Sequence, residues 1–340
     1  MLNRQAPPIL AVLEGAEVAF LDAASSYRIQ CIAANMTSDT IRGKEDSLAY
    51  FSEFLAEEGV VYLRDITPDV CTSYIGMRWQ RGNSPATVRH HYVALKAAFR
   101  WICGRHGVAN PWDSVTAPIV PFQAKPTVPG EVVAAFLALC DPKRAKGELD
   151  RLRRLRDTAM LQLLRCTPAR IGDFETLRTE HVDLDHALVH VMTKGRKQDI
   201  RQWNKTECTE SLASYIEARA LVAKVDDLWI DARWRKTLGT GMERGWTRRM
   251  LARMGKVVGF HVNPHMFRHT FAANAVEAGM PLPLLETLGS WTKGSQALRV
   301  SYLSSINQQH GRQALIDYDP VPDLPDQARK PGRPRKKFLE

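Results

Sequence analysis

The feature that most constrains the fold is a break in the helical patterning near the first third of the chain. From Asn110-Pro111-Trp112 onward, periodic apolar positions become sparse, and Pro118, Pro121, Pro126 and Pro129 follow in quick succession. Proline removes a backbone donor and fixes φ, so a continuous helix cannot cross this stretch. The chain is therefore expected to fold as two bodies: a helical domain over 41–115, a linker over 116–127 and a second domain over 128–316. Residues 1–40 are set apart as an N-terminal extension of unassigned role, with a helix expected around 9–24. Residues 317–340 are read as a flexible tail.

The first body reads as all-helical. Leu48, Phe51 and Leu55 recur at helical spacing, and Thr67-Pro68 supplies a cap followed by a first-turn proline. The clearest helix spans 84–103. Ser84 caps it, Pro85 fits its first turn, and Val88, Tyr92, Leu95, Phe99 and Ile102 form one stripe. Arg89, Lys96 and Arg100 on the same helix are candidate phosphate contacts, or else part of a solvated face.

The second body mixes helices with one small antiparallel sheet. Helices are expected at 130–140, 150–165, 208–223, 243–258, 266–278 and 282–288. Between them, Leu188, His190 and Met192 alternate with Val189 and Val191, a basic turn follows at Lys194-Gly195-Arg196-Lys197, and 200–203 return as a strand. The fold class is thus mainly α with a small antiparallel β-sheet.

Composition narrows the partners. The 340 residues carry a net charge of +10, which favours a polyanion. Six scattered cysteines, Cys31, Cys71, Cys103, Cys140, Cys166 and Cys208, form no Cys-x-x-Cys pair, so neither a zinc site nor a disulfide framework is expected. No metal and no cofactor is expected. The apolar run from Ile9 to Leu21 is interrupted by Glu14 and Glu17, so no membrane span is expected, and the location expected is cytoplasmic.

The second body also carries residues suited to one chemistry. Arg170 and Arg268 could clamp a phosphate from two sides, since a guanidinium fork can bind two oxygens and stabilise the charge that builds as an oxygen attacks. Tyr302 could be that attacking oxygen. A phenol of ordinary pKa about 10 needs a base or a strongly positive site near neutral pH. His265 is the candidate base, and Lys194 on the turn is the candidate acid for the departing sugar oxygen. Lys197 is the alternative to Lys194. Tyr318 is the alternative to Tyr302, but Asp317 and Asp319 on either side would repel a phosphate.

These residues resemble the tyrosine recombinases, the phage-integrase family, over roughly 43–306. Thr167-Pro168-Ala169-Arg170-Ile171-Gly172-Asp173 is similar to the family's first box, which implies Arg170 as its catalytic arginine and Asp173 as a site-orienting acid. Lys194 sits in a Lys-Gly turn 24 residues later. His265-Met266-Phe267-Arg268-His269-Thr270-Phe271 resembles the second box. Leu288-Gly289 leads to the family's histidine or tryptophan position, here Trp291, and Tyr302 falls at the nucleophile's place. Pro168 departs from the usual glycine, Ser290 is interposed before Trp291, and the step from Trp291 to Tyr302 is longer than usual.

The resemblance implies a two-domain DNA clamp, with a core-binding domain and a catalytic domain, expected to be nucleoid-associated when bound to DNA. It implies site-specific cleavage and rejoining of double-stranded DNA through a 3′-phosphotyrosyl link, for a mobile element, by a homotetramer on two DNA sites, with a possible directionality factor. A type IB topoisomerase-like relaxase and a catalytically silent DNA-binding regulator are the alternatives. In the tail, Pro331-Gly332-Arg333-Pro334-Arg335, followed by Lys336 and Lys337, resembles an AT-hook, an extended segment that fits an A·T-rich minor groove.

Overall fold

The computed structural model describes residues 17–121, 125–193, 197–295 and residue 298. It divides into two compact units between residues 122 and 123.

The N-terminal unit is built from α1 (Phe20–Ala33), α2 (Ser38–Glu57), α3 (Pro68–Gln80) and α4 (Pro85–His106). Helix α4 forms where the stripe predicts it. Ser84 Oγ accepts from the Thr87 amide at 3.2 Å, Pro85 occupies the first turn, and Gly107 closes the helix at φ 67°, which glycine adopts without a Cβ penalty. All five stripe residues are buried. They meet an aromatic core centred on Phe51, whose ring lies 5.0 Å from Tyr74, 5.5 Å from Phe20 and Trp112, and 5.7 Å from Phe99. Such aromatic pairs add about 0.5–1.5 kcal/mol each beyond area burial.

Two expectations about the chain's first 40 residues are corrected here. Of the helix expected at 9–24, residues 9–16 lie outside the described residues; within them the helix is α1, which starts at Phe20 and runs on to Ala33, because the core-facing stripe is Phe20, Ala23, Tyr27 and Cys31, spaced by three and four. Since those four side chains are buried in the same core as Phe51 and Phe99, this part is an integral helix of the unit and no mere extension. Helix α2 also starts earlier than the apolar pattern implied, because Thr37 Oγ1 caps it through the Thr40 amide at 3.4 Å.

The C-terminal unit comprises α5 (Gly130–Leu139), α6 (Glu148–Cys166), α7 (Ile171–Glu175), strands β1 (Val182–Asp183), β2 (Leu188–Thr193) and β3 (Lys197–Gln202), then α8 (Thr206–Ala220), α9 (Trp246–Val258), α10 (Pro264–Glu277) and α11 (Leu282–Gly289). The sheet is an antiparallel meander in the order β1-β2-β3, with Val189 opposite Arg201 and Thr193 opposite Lys197. Val189 and Val191 point into the core while His190 and Met192 point out, the alternation that the sequence shows. Helix α6 runs through the core, with Ala159, Met160, Leu161, Leu163 and Leu164 all buried. Its Arg156 and Asp157 are buried as a pair at 2.7 Å, and Arg156 also donates to the Ile230 carbonyl at 3.0 Å. Each charge is thereby compensated, as burial requires. All six cysteines are free and buried.

Candidate active site

Three short structural devices bring the site together, all within the C-terminal unit. The first is the entry to α7. Its N-cap residue is Arg170, whose amide donates to Asp173 Oδ2 at 3.1 Å while the Asp173 amide donates back to the Arg170 carbonyl at 2.9 Å. Asp173 is buried and so fixes where the Arg170 side chain begins. The guanidinium itself is half-buried and donates from Nη2 to the Ser290 carbonyl at 3.3 Å. Among the described residues it meets that carbonyl and no carboxylate, which leaves donors for an anion.

The second device is the start of α10. Asn263 Oδ1 accepts from the His265 and Met266 amides at 3.0 and 3.3 Å, and Pro264 occupies the first turn. This cap presents His265 on an exposed edge and, one turn in, buries Arg268. Arg268 donates from Nη1 to the Pro168 carbonyl, which ties α10 to the segment just before Arg170. Desolvation by the protein on its inner side, then the positive charges of Arg268, Arg170 and Lys125, hold the His265 pKa below the ordinary histidine range. The neutral ring, able to accept a proton, therefore persists to lower pH. His269 stands edge-on to it at 4.6 Å and is pushed down to about 4, first by burial and then by His265.

The third device is the end of α11. Ser290 turns the chain at φ 49° and ψ 47°, and Trp291 follows with its amide bonded to the Glu286 carbonyl at 2.9 Å. The Trp291 ring lies under the Arg268 guanidinium, 3.7 Å from its centroid. It also covers Gly289 so closely that a Cβ there would sit 1.8 Å from the ring, so only glycine fits. Arg170, Asp173, His265, Arg268 and Trp291 are thus gathered into one neighbourhood. Lys194 and Tyr302, the alternatives Tyr318 and the Lys197 side chain, and tail residues Arg333, Arg335, Lys336 and Lys337 lie outside the described residues.

Three residues belong to this neighbourhood that the motif reading passed over. Arg201, buried on the inner face of β3, donates to Asp199 Oδ2 and to Ser290 Oγ, both at 2.7 Å, and its Nη2 lies 3.6 Å from Asp173 Oδ2. Ser290 Oγ in turn donates to Asp199. Burial raises the Asp199 pKa, but the hydrogen bonds from Ser290, Arg201 and the Ile200 amide outweigh it and hold the carboxyl below its ordinary range. Nothing local in the sequence marks Arg201, because Ile200 is the apolar residue beside it and alternation alone would turn that neighbour inward.

Of the candidate DNA contacts on α4, Arg89 and Arg100 are exposed, although Arg89 also donates to the Pro118 carbonyl at 2.9 Å. Lys96 is engaged internally: its ammonium lies 3.3 Å from Asp113, 3.3 Å from the Tyr92 hydroxyl and 3.4 Å from the Trp112 carbonyl. Among the described residues no cluster of His, Cys, Asp or Glu is placed to hold a metal ion, and no helix is long and apolar enough to cross a membrane.

Residues 131–307 match the Phage integrase family. The chain is 26% identical over 257 residues to the tyrosine recombinase XerC of Roseiflexus sp. (strain RS-1), covering 75% of this chain and 80% of that protein. In fold it is similar to a lambda integrase dimer bound to a COC′ core site, with a TM-score of 0.65 at 14% identity over 88% of this chain and 82% of that one. It is also similar to XerH site-specific recombinase bound to palindromic difH substrate, with a TM-score of 0.64 at 17% identity over 86% and 85%. Neither the relaxase nor the silent-regulator alternative gains support from these likenesses. The chain belongs to the phage integrase family, the tyrosine recombinases, which cleave and rejoin DNA strands at specific sites.

Proposed function

We propose that this protein recombines double-stranded DNA through Tyr302, with its two domains clamping the duplex largely through phosphates. The Tyr302 oxygen attacks the scissile phosphorus, forming an O–P bond as the bond to the 5′ oxygen breaks. His265 takes the phenol proton and Lys194 delivers one to the departing 5′ oxygen. Arg170 and Arg268 neutralise the charge that grows on the non-bridging oxygens, Trp291 supports Arg268 and can donate one hydrogen bond, and Asp173 orients Arg170. The 3′-phosphotyrosyl link keeps the energy of the broken bond, so a 5′ hydroxyl from a partner strand can reverse the step and rejoin.

The observation that carries this reading is the convergence of two arginines and a histidine whose pKa they lower, with Arg170 facing no carboxylate among the described residues. Four protomers on two DNA sites, a role in moving a mobile element, a directionality factor and an A·T-reading tail at Arg333, Arg335, Lys336 and Lys337 complete the proposal. A suicide duplex that loses its 5′ fragment after cleavage tests it. Wild-type protein becomes covalently attached to the 3′ end and Tyr302→Phe does not; an adduct formed equally by Tyr302→Phe removes Tyr302 from the mechanism.

A further inference from the structure

Arg201 is buried at 1% exposure on a strand position that faces the core, opposite Val189. The alternation of β3 asks for an apolar residue there, and a well-packed apolar side chain in place of a buried ion pair is often neutral or stabilising. What the guanidinium adds is reach. It bridges three elements: its own strand through Asp199, α7 through Asp173, and the end of α11 through Ser290. Asp173 holds the Arg170 amide and Ser290 holds the Arg170 guanidinium, so one buried cation grips both groups that orient Arg170.

Ser290 makes the same point independently. Its left-handed backbone suits glycine better than serine, yet its hydroxyl accepts from Arg201 and donates to Asp199. We infer that Arg201, acting with Ser290, is a positioning residue for strand cleavage: it neutralises Asp173 and Asp199 so that the Arg170 guanidinium stays directed at phosphate. Without it, two carboxylates near Arg170 compete with the DNA for that guanidinium. The inference rests on Arg170 being the phosphate clamp.

The test compares single-turnover cleavage of a suicide duplex carrying an ordinary scissile phosphate with one carrying a neutral methylphosphonate, using full-length wild type, Arg201→Met, Ser290→Gly and Arg170→Ala. A misdirected clamp slows Arg201→Met by about 10- to 100-fold on the ordinary phosphate, and Ser290→Gly by a smaller factor in the same direction. On the methylphosphonate, which carries no charge for the clamp to neutralise, both deficits shrink to within about threefold of wild type. Arg170→Ala separates the two layers of the argument. If its own deficit is undiminished on the neutral substrate, Arg170 is not the clamp. If Arg170→Ala recovers while Arg201→Met and Ser290→Gly do not, Arg201 serves only the fold and the inference fails. Should Arg201→Met not fold, Ser290→Gly, which keeps Arg201 and the helix end, decides alone. Wild-type cleavage by both variants also overturns it.

Discussion

Arg78 in the N-terminal unit and Arg201 in the C-terminal unit are both buried arginines, but their surroundings differ in kind. Arg78 lies 4.7 Å over the Tyr50 ring and donates to His91 Nε2 at 2.9 Å, and the His91 Nδ1 side meets the Tyr74 hydroxyl at 3.0 Å. Its partners are neutral and lie on the helices of its own unit, Tyr50 on α2 and His91 on α4. Arg201 instead meets two carboxylates and a serine from three different elements, and those partners continue to Arg170. The first arrangement closes a core. The second links the sheet to Arg170, the side chain proposed to face the phosphate.

The largest effects that could break this contrast come from the arginines. Arg170→Ala slows single-turnover cleavage by about 10²- to 10³-fold, the range for losing one preorganised donor, with DNA affinity and unfolding midpoint little changed. Arg78→Ala does the reverse: it leaves His91 short of a partner and lowers unfolding stability by about 1–3 kcal/mol, with cleavage per folded molecule unchanged. A cleavage defect in folded Arg78→Ala would erase the distinction.

The two histidines sharpen it through pH. His91 is pushed from 6.5 down to about 4, first by burial and then by Arg78 and His90. Its folded pKa lies below its unfolded one, so its contribution is full above pH 6.5 and is lost as pH falls toward about 4. The expected loss in a urea titration is about 3 kcal/mol, absent in His91→Gln. For His265, lowered by its surroundings and by Arg268 and Arg170 and proposed as the base, the expected effect is on rate. Cleavage at acid pH should decline only below the ordinary histidine range, while a decline centred on an unshifted histidine would contradict the site's electrostatics.

The smallest expected effect lies on α4. Arg100→Ala lowers DNA affinity a few-fold and reduces the salt slope by about one, as loss of one phosphate contact does. Lys96→Ala leaves the slope unchanged and acts on stability, because its ammonium is held by Asp113, the Tyr92 hydroxyl and the Trp112 carbonyl.

Legibility in the sequence followed the range of the interactions. Helix α4 was readable because cap, proline, stripe and terminal glycine adjoin one another. The bounds of α1 are less legible, because the apolar run from Ile9 to Leu21 overlaps the start of the spaced stripe of Phe20, Ala23, Tyr27 and Cys31. The boxes around Arg170 and His265–Arg268 were readable as local motifs. The Arg201 bracket was not: its link to Ser290 spans 89 residues, and Ser290 reaches Asp199 across 91 and Arg170 across 120. Strand alternation even argues for an apolar residue at 201, so only tertiary contacts explain the arginine.

Tyr302 is the residue proposed to carry the DNA. Digesting the trapped protein–DNA adduct and locating the nucleotide-bearing peptide by mass spectrometry tests it most directly. The expected result is a nucleotide joined through a phosphotyrosyl link to Tyr302 alone; a nucleotide on Tyr318, or on any other side chain, removes Tyr302 as the nucleophile.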